Sequence, residues 1–152
     1  APQALADHAG KYLTVVIARE AYAIAASDVR EIIRFQKITP VAQMPDAVKG
    51  VIDLRGRVVP VVDLRARFGF TADSTERICI VVVRFEAEPG LFVPMGLIVD
   101  AVDAVEHFTA EALVPPPAFG SALSPDHLLG LAKTREGVKL LIDPGRLLRN
   151  AL

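Results

Sequence analysis

The sequence predicts an all-β fold, in which short strands close into small barrels or pack as a sandwich. Short apolar runs separated by turn signals recur along the chain, and few segments show helical periodicity. Apolar residues make up 52% of the 152 positions, which is typical of a folded domain rather than a disordered chain. Strand periodicity does not distinguish a barrel from a sandwich, so both architectures are compatible with the pattern.

The N-terminal part is predicted to form one hairpin and one helical turn. β-prone runs at residues 12–18 and 21–26 flank a two-residue connection. Asp28 and Glu31 follow at the spacing of a capping box, which predicts a single helical turn running into the next apolar pair. The proline-containing stretch 34–48 is expected to be irregular.

The stretch 49–65 is the most informative of the chain. Two apolar strands flank a polar turn, in which Gly56 can adopt the positive φ of a tight hairpin. Arg55 stands at the tip, where its guanidinium offers fixed donors to a partner, although an ordinary solvated turn residue would look the same. Because Pro60 has no N–H, its strand is expected to be an edge strand or to carry a bulge.

Strand patterns continue to the end of the chain. Residues 63–69 predict a helical turn, and residues 71–77 a polar loop. Asp143 before Pro144 is a good N-cap pair and predicts a short C-terminal helix. The later strands are predicted at five apolar runs, namely residues 77–85, 91–100, 101–108, 130–133 and 138–142.

The sequence contains no visible catalytic or metal-binding constellation. Its three histidines are far apart and are not paired at ligand spacing. Asp100 and Asp103 are expected on opposite faces of a strand and make a poor acid/base pair. The single cysteine, Cys79, lies between isoleucines and is expected to act as a small buried hydrophobe. We therefore expect no enzymatic activity, no metal and no cofactor.

Charge and hydropathy exclude further classes of function. The net charge is −1 and charged residues make up 23%, which gives no reason to expect nucleic acid as a partner. No apolar run reaches the length of a membrane-spanning helix, so no direct membrane insertion is expected. Residues 1–10 are small and polar and are expected to be a flexible N-terminal segment.

Several motifs resemble those of the CheW-like coupling proteins of bacterial chemosensory arrays. Residues 49–56 read KGVIDLRG and residues 60–65 read PVVDLR, which are similar to the family's KGVINLRG and PVIDLR signatures. Further similarities follow in the same order along the chain, at residues 12–16, 28–32, 68–69, 96–102, 128–132 and 139–143. The resemblance therefore covers nearly the whole chain.

The resemblance implies a fold and a function. The fold would be two small, five-stranded, SH3-like barrels that share a core, with short helical turns and a short C-terminal helix. The two lobes would be interleaved within one domain at residues 11–152. The function would be that of a non-enzymatic adaptor, coupling the signalling tip of a methyl-accepting chemoreceptor to the regulatory domain of a CheA histidine kinase. Such an adaptor would be cytoplasmic, at receptor arrays on the inner face of the membrane.

Two alternatives accompany this interpretation. The first is a CheW-like module of a larger protein, such as the kinase itself or a multidomain array protein, because the sequence begins with Ala1 rather than Met. The second, less favoured, is a small all-β enzyme or ligand-binding barrel, which would need polar groups converging on a pocket.

The resemblance also implies two sets of contact residues. Those expected at the receptor tip, in a groove between the lobes, are Val29, Glu31, Arg55, Val102 and Val105. Those expected at the kinase, along an apolar and partly unpaired strand edge, are Gly50, Val51, Asp53 and Val61. Asp53 stands where the family usually has asparagine, and its extra negative charge is expected either to neutralise Arg55 or to alter the choice of partner. The first hairpin also lacks the glycines usual around its turn, with Ala23 in one of those places.

Overall fold

Eleven strands and one helix make up the regular structure in the computed structural model, which describes residues 7–45, 47–63, 65, 78–116 and 128–151. The predicted loop at 71–77, and the turn at 63–69 apart from Asp63 and Arg65, lie outside the described residues. Short 3-10 turns at Ala26–Asp28 and Ala110–Ala112 precede the third and ninth strands. The strands and the helix are β1 Gly10–Ile17, β2 Glu20–Ala25, β3 Val29–Arg34, β4 Val48–Leu54, β5 Arg57–Val62, β6 Cys79–Glu88, β7 Leu91–Val99, β8 Ala101–Phe108, β9 Leu113–Val114, β10 Leu128–Thr134, β11 Gly137–Ile142 and α1 Pro144–Ala151.

The strands form two sheets, each the basis of one lobe. Lobe 1 is a six-stranded sheet in the order β8-β1-β2-β11-β10-β9, and lobe 2 is a five-stranded sheet in the order β3-β6-β7-β5-β4. The chain therefore starts in lobe 1, builds the whole of lobe 2, and returns to complete lobe 1. The predicted all-β class, with short helical turns and a short C-terminal helix, is confirmed. Lobe 1 differs from the expected five strands only by the two-residue strand β9.

The two lobes follow one plan. In each, a hairpin carries a register shift at a glycine of its first strand, Gly50 in β4 and Gly130 in β10. The second strand of each hairpin then pairs in parallel with an inner strand, β5 with β7 and β11 with β2. A short segment also bridges the first strand of each hairpin, through Thr39 to Val51 in lobe 2 and through β9 in lobe 1. Corresponding positions of the lobes can therefore be compared.

Three apolar clusters form the core. One fills the interior of lobe 1 and is made of Tyr12, Ala23, Phe108, Leu113, Ala132 and Leu141. One fills the interior of lobe 2 and is made of Ile52, Val59, Val61, Ile80, Val82 and Ile98. The third is shared, because strands of both sheets contribute to it, among them β1, β2, β6 and β7. Each fully buried Val, Leu or Ile contributes about 1.5–3 kcal/mol, so the shared core binds the lobes together strongly.

The predicted helical turn after Asp28 is wrong, because this segment is strand β3. Its β-branched residues pair with β6, and that tertiary pairing outweighs the local capping signal. Asp28 ends a 3-10 turn that has no side-chain cap, and its carboxylate lies 3.7 Å from the Arg84 guanidinium. Glu31 points to Arg55 instead of to a helix N-terminus.

The expectation that Pro60 marks an edge strand is also wrong, since β5 lies between β7 and β4. The parallel pairing of β5 with β7 begins only at Val61, opposite Gly96, so the missing N–H of Pro60 is not required by that ladder. The bulge lies on the partner strand instead, between Val48 and Gly50.

The C-terminal helix begins as predicted. The backbone N–H groups of Gly145 and Arg146 donate to Asp143 Oδ1 at 3.0 and 3.4 Å, so Asp143 is the N-cap. The helix places Leu147 and Leu148 in the shared core. It therefore packs the end of the chain against the junction of the lobes.

Candidate functional site

The tip of the β4–β5 hairpin is a two-residue turn made by Arg55 and Gly56. Both have positive φ, 53° and 83°, which is the turn geometry that matches the twist of paired strands. Asp53 Oδ1 accepts the N–H of Gly56 at 2.8 Å. An asparagine oxygen can accept the same bond, so Asp53 keeps the turn and adds a negative charge. The side chain therefore supports the turn and is not the partner of Arg55.

Arg55 forms a two-pronged ion pair with Glu31. Its Nη1 donates to Glu31 Oε1 at 3.1 Å, and its Nη2 donates to Oε2. The hydrogen bond from Arg55 lowers the pKa of Glu31, and the same contact raises the pKa of Arg55. Because 71% of the Arg55 side chain is exposed, water screens the pair and its contribution to stability is small.

This ion pair joins the two edge strands of lobe 2. Glu31 lies on β3 and Arg55 follows β4, which are the first and last strands of that sheet. A shallow pocket of about 260 Å³ opens beside the pair, lined by Arg30, Glu31, Leu54, Arg55, Arg57, Val59, Val82 and Pro94. The pocket is thus the open end of lobe 2, and its charged rim contains three arginines and one carboxylate.

The predicted receptor residues divide between this end and the margin of the shared core. Val29 on β3 and Val102 on β8 are partly buried against the shared core, one from each lobe. They occupy corresponding positions of the two lobes. β3 and β8 are the outer strands next to β6 and β1, and Val29 lies opposite Val83 of β6 as Val102 lies opposite Val15 of β1. The structure therefore brings Glu31 and Arg55 into contact, and places both valines beside the junction of the lobes.

Val105 has a counterpart that the sequence did not single out, Ile32. Val105 is 65% exposed and Ile32 is 46% exposed. Val105 lies opposite Leu13, and Ile32 lies opposite Val81, and both of these partners belong to the shared core. Since residues directly opposite each other share a face of the sheet, Val105 and Ile32 extend the shared core onto the surface of each lobe. The repetition of one strand arrangement in the two lobes was the signal that could have identified Ile32.

The predicted kinase residues lie on two different faces of the β4–β5 hairpin. Val51 and Asp53 are on the outer face, where Asp53 lies directly opposite Val58, a valine that is 65% exposed. Val61 differs from the prediction, because it is fully buried in the interior of lobe 2. Its side chain stabilises the sheet and cannot meet a partner.

β4 is the last strand of its sheet, and its edge is paired at Val51 by an isolated bridge to Thr39. Thr39 N–H donates to Val51 O at 2.8 Å, and Val51 N–H donates to Thr39 O at 2.9 Å. Gly50 makes this close approach possible, because a Cβ at that position would lie 2.1 Å from Thr39 O. Gly50 therefore has a structural role that is independent of any partner.

A buried charge cluster at the lobe junction was missed by the sequence analysis. We call Asp63, Arg65 and Asp100 the Arg65 cluster. Arg65 Nε and Nη2 donate to Asp63 at 3.0 and 2.8 Å, and Nη1 donates to Asp100 Oδ1 at 3.0 Å. Burial alone would raise the pKa of Asp63, but the hydrogen bonds and charge of Arg65 outweigh it and hold that pKa below its usual range. The pKa of Arg65 is raised by the same bonds.

The described ranges offer little for other chemistry. They contain no group of three His, Cys, Asp or Glu side chains placed to hold a metal ion. Cys79 is half-buried, and this burial raises the pKa of its thiol, which disfavours the reactive thiolate. Among the described residues, no helix has both the length and the apolar character needed to cross a membrane.

The two-lobed architecture matches that of a solved scaffolding protein. The structure superimposes on the crystal structure of scaffolding protein TtCheW from Thermoanaerobacter tengcongensis with a TM-score of 0.76 and 29% identity, over 89% of each chain. The family model for the CheW-like domain matches residues 11–152. The chain belongs to the CheW-like domain family.

Named relatives in other bacteria are similar over most of this chain. Chemotaxis protein CheW of Klebsiella aerogenes is 34% identical over 139 residues, covering 91% of this chain and 81% of that protein. Protein FrzA of Myxococcus xanthus is 30% identical over 121 residues, covering 78% of this chain and 72% of that protein.

Proposed function

We propose that this chain is a non-enzymatic adaptor of a bacterial chemosensory array, which binds a chemoreceptor signalling tip and the regulatory domain of a CheA histidine kinase. Its membership of the CheW-like family and its likeness to a CheW scaffold support this class of function. The observation that carries the proposal is the pair of exposed apolar residues, Ile32 and Val105, that extend the shared core onto the surface of each lobe. Its working place would be the receptor array on the cytoplasmic face of the membrane.

The receptor surface comprises the margins of the shared core and the Arg55–Glu31 pair. Val29 and Ile32 on lobe 2, with Val102 and Val105 on lobe 1, form apolar anchors for an amphipathic helical partner. The Arg55 guanidinium has donors beyond the two that Glu31 accepts, and its side chain is largely in water. Apolar anchors provide affinity, and such a charged group sets the register of the partner.

The kinase surface comprises the outer face of the β4–β5 hairpin. Val51, Asp53 and Val58 are accessible there, whereas Val61 is excluded by its burial. An exposed valine beside one carboxylate suits docking of another small β domain that presents an apolar patch with a basic residue. Gly50 shapes the strand beneath this face without contributing a side chain.

Paired substitutions test whether the two surfaces are separate. Val105→Asp should weaken binding of a receptor-tip fragment at least tenfold, about 1.4 kcal/mol, and leave affinity for the kinase regulatory domain unchanged. Val58→Asp should weaken binding of the kinase regulatory domain by a similar factor and leave affinity for the receptor-tip fragment unchanged. Val138→Asp is the matched control for Val58, since it alters the corresponding exposed position of lobe 1.

Isothermal titration of the parent and of the three variants with each partner separately gives the affinities, and circular dichroism verifies folding of each variant. The proposal is contradicted if neither partner responds to its substitution, or if one substitution removes both partners from a folded protein. Binding of a receptor fragment but of no kinase domain would favour a module that acts within a larger array protein.

A further inference from the structure

The Arg65 cluster connects three segments of the chain that belong to different lobes. Asp63 directly follows β5, a strand of lobe 2. Asp100 is the single residue between β7 and β8, where the chain passes from lobe 2 to lobe 1. Asp100 Oδ2 accepts the N–H of Ala18, in the β1–β2 turn of lobe 1, at 2.8 Å. The Arg65 guanidinium therefore links lobe 2 to the crossover, and the Asp100 carboxylate links the crossover to lobe 1.

The β1–β2 turn depends on this support. Ala18 and Arg19 have φ values of 52° and 69°, a left-handed conformation that is unfavourable for residues other than glycine. Asp100 holds the turn through its side chain, and its own N–H donates to Val16 O at 2.8 Å. Asp100 thus supports the turn through both its side chain and its backbone. Ala23 lies in the middle of β2 and is fully buried.

Burying these charges is costly, which bears on what they do. Arg65 and Asp63 are 5% and 6% exposed, and each buried ion loses several kcal/mol of hydration before its bonds compensate. Well-packed apolar side chains are often at least as stabilising as a buried ion pair. An apolar group cannot make directional contacts. The planar guanidinium can, because its hydrogen bonds fix the positions of both carboxylates at once.

We propose that the Arg65 cluster is a positioning element that fixes the angle between the two lobes. The hydrophobic effect that holds the shared core together is itself non-directional, so the shape of the packing and any directional contacts set the orientation of the lobes. The three charged groups supply directional contacts at the crossover. The effect on a receptor rests on the proposed function, since the apolar anchors for the receptor lie on both lobes.

The test uses Arg65→Lys, which keeps the charge and loses the two-pronged donation to Asp63. Asp100→Asn is the second variant, should Arg65→Lys fail to fold. Spin labels at exposed Arg57 in lobe 2 and Lys133 in lobe 1, in a Cys79→Ala background, report the distance between the lobes. Hydrogen exchange of the Ala18 amide reports the turn that Asp100 supports.

The matched control is Lys139→Met. Lys139 is also buried, 4% exposed, and its Nζ donates to both carboxylate oxygens of Glu106 at 2.8 and 2.9 Å. Both residues belong to lobe 1, so loss of this ion pair should lower stability without changing the distance between the lobes.

We expect the distance distribution to broaden in Arg65→Lys or Asp100→Asn, with at least tenfold faster exchange of the Ala18 amide and cooperative unfolding retained. Affinity for a receptor-tip fragment should fall about tenfold while affinity for the kinase domain is kept. An unchanged distribution in a folded variant, or equal broadening in Lys139→Met, would overturn the proposal. If the distance distribution broadens but receptor affinity does not change, the result supports the positioning role of the Arg65 cluster. The same result contradicts the proposed receptor surface.

Discussion

Arg55 occupies a position that combines backbone strain with a side-chain contact between distant strands. The sequence predicted its place at a hairpin tip and the positive φ of Gly56, because both follow from local turn chemistry. The contact with Glu31 is not a local property, since it joins residues 24 apart in sequence on opposite edges of a sheet. The resemblance placed both residues in one site, and the structure supplies the physical link between them.

The ion pair should make stability depend on pH in a defined direction. The pKa of Glu31 is lowered in the folded chain, so the contribution of the pair is present above the unfolded pKa of a glutamate, about 4.3, and is lost as pH falls through the lower folded pKa. Urea unfolding of the parent chain and Glu31→Gln from pH 7 to pH 2 measures this. The parent should be slightly more stable at pH 7, and the two curves should converge at the acid end.

Arg57→Ala is the control, because it removes an exposed neighbouring arginine of the same pocket that does not pair with Glu31. A constant difference between parent and Glu31→Gln across the whole pH range would show that charge pairing is not the source of the effect.

Val61 and the Arg65 cluster show where residue types mislead. Val61 lies in an apolar run, so its face could not be predicted; in the structure it shares the inner face of β5 with Val59. Charged residues are rarely fully buried, which is why Asp63 and Arg65 were not predicted to belong to the core. Their burial became visible only when β5, the crossover and the first hairpin were brought together.

At the scale of elements, hairpins and the terminal helix were predictable, and β3 was not. The β4–β5 and β10–β11 hairpins and α1 follow from turn residues and a cap that lie within a few positions of each other. β3 exists because of its pairing with β6, which lies far along the chain. The repeated pattern of glycine, polar turn and aspartate, at Gly50 to Asp63 and Gly130 to Asp143, carried the information that the lobes share one plan.

Two glycines of one hairpin should respond very differently to alanine. Gly50→Ala should destabilise the chain by about 2 kcal/mol or more, because the new Cβ meets the Thr39 carbonyl and φ is 148°. Gly56→Ala should cost about 1 kcal/mol, since φ is 83° but no atom lies within 4 Å of the new Cβ. Urea midpoints of both variants measure the difference.

Equal destabilisation by the two substitutions would contradict the close approach of Thr39 to β4. The same contact means that a partner-binding defect of Gly50→Asp cannot be assigned to the interface unless folding is measured in parallel.

For the whole molecule, the all-β class was predictable from periodicity and turn signals, whereas the arrangement in two lobes was not. Pairings such as β2 with β11 and β1 with β8 join the two ends of the described chain, and no local pattern encodes them. The resemblance to a known family supplied that arrangement. The structure adds the shared core and the crossover at Asp100 as its physical basis.

The route of the chain through the sheets also sets an order of events during folding. Lobe 2 is built from consecutive strands, β3 to β7, whereas lobe 1 needs β1 and β2 together with β8 to β11. Pulse-labelled hydrogen exchange during refolding should show amides of the β6–β7 pair protected before those of the β2–β11 pair, because closing the longer loop costs more entropy. Simultaneous protection of both pairs would argue against this order.

On the ribosome the same route leaves the first hairpin without its neighbours for most of synthesis. Strand β2 pairs on one side with β1, and its other side stays open until β11 has been made. An open strand edge is a template for pairing with other chains. The nascent chain therefore passes through an interval in which association with other copies competes with completion of lobe 1. Rapid folding of lobe 2 shortens the search of β11 for β2, and so it shortens this interval.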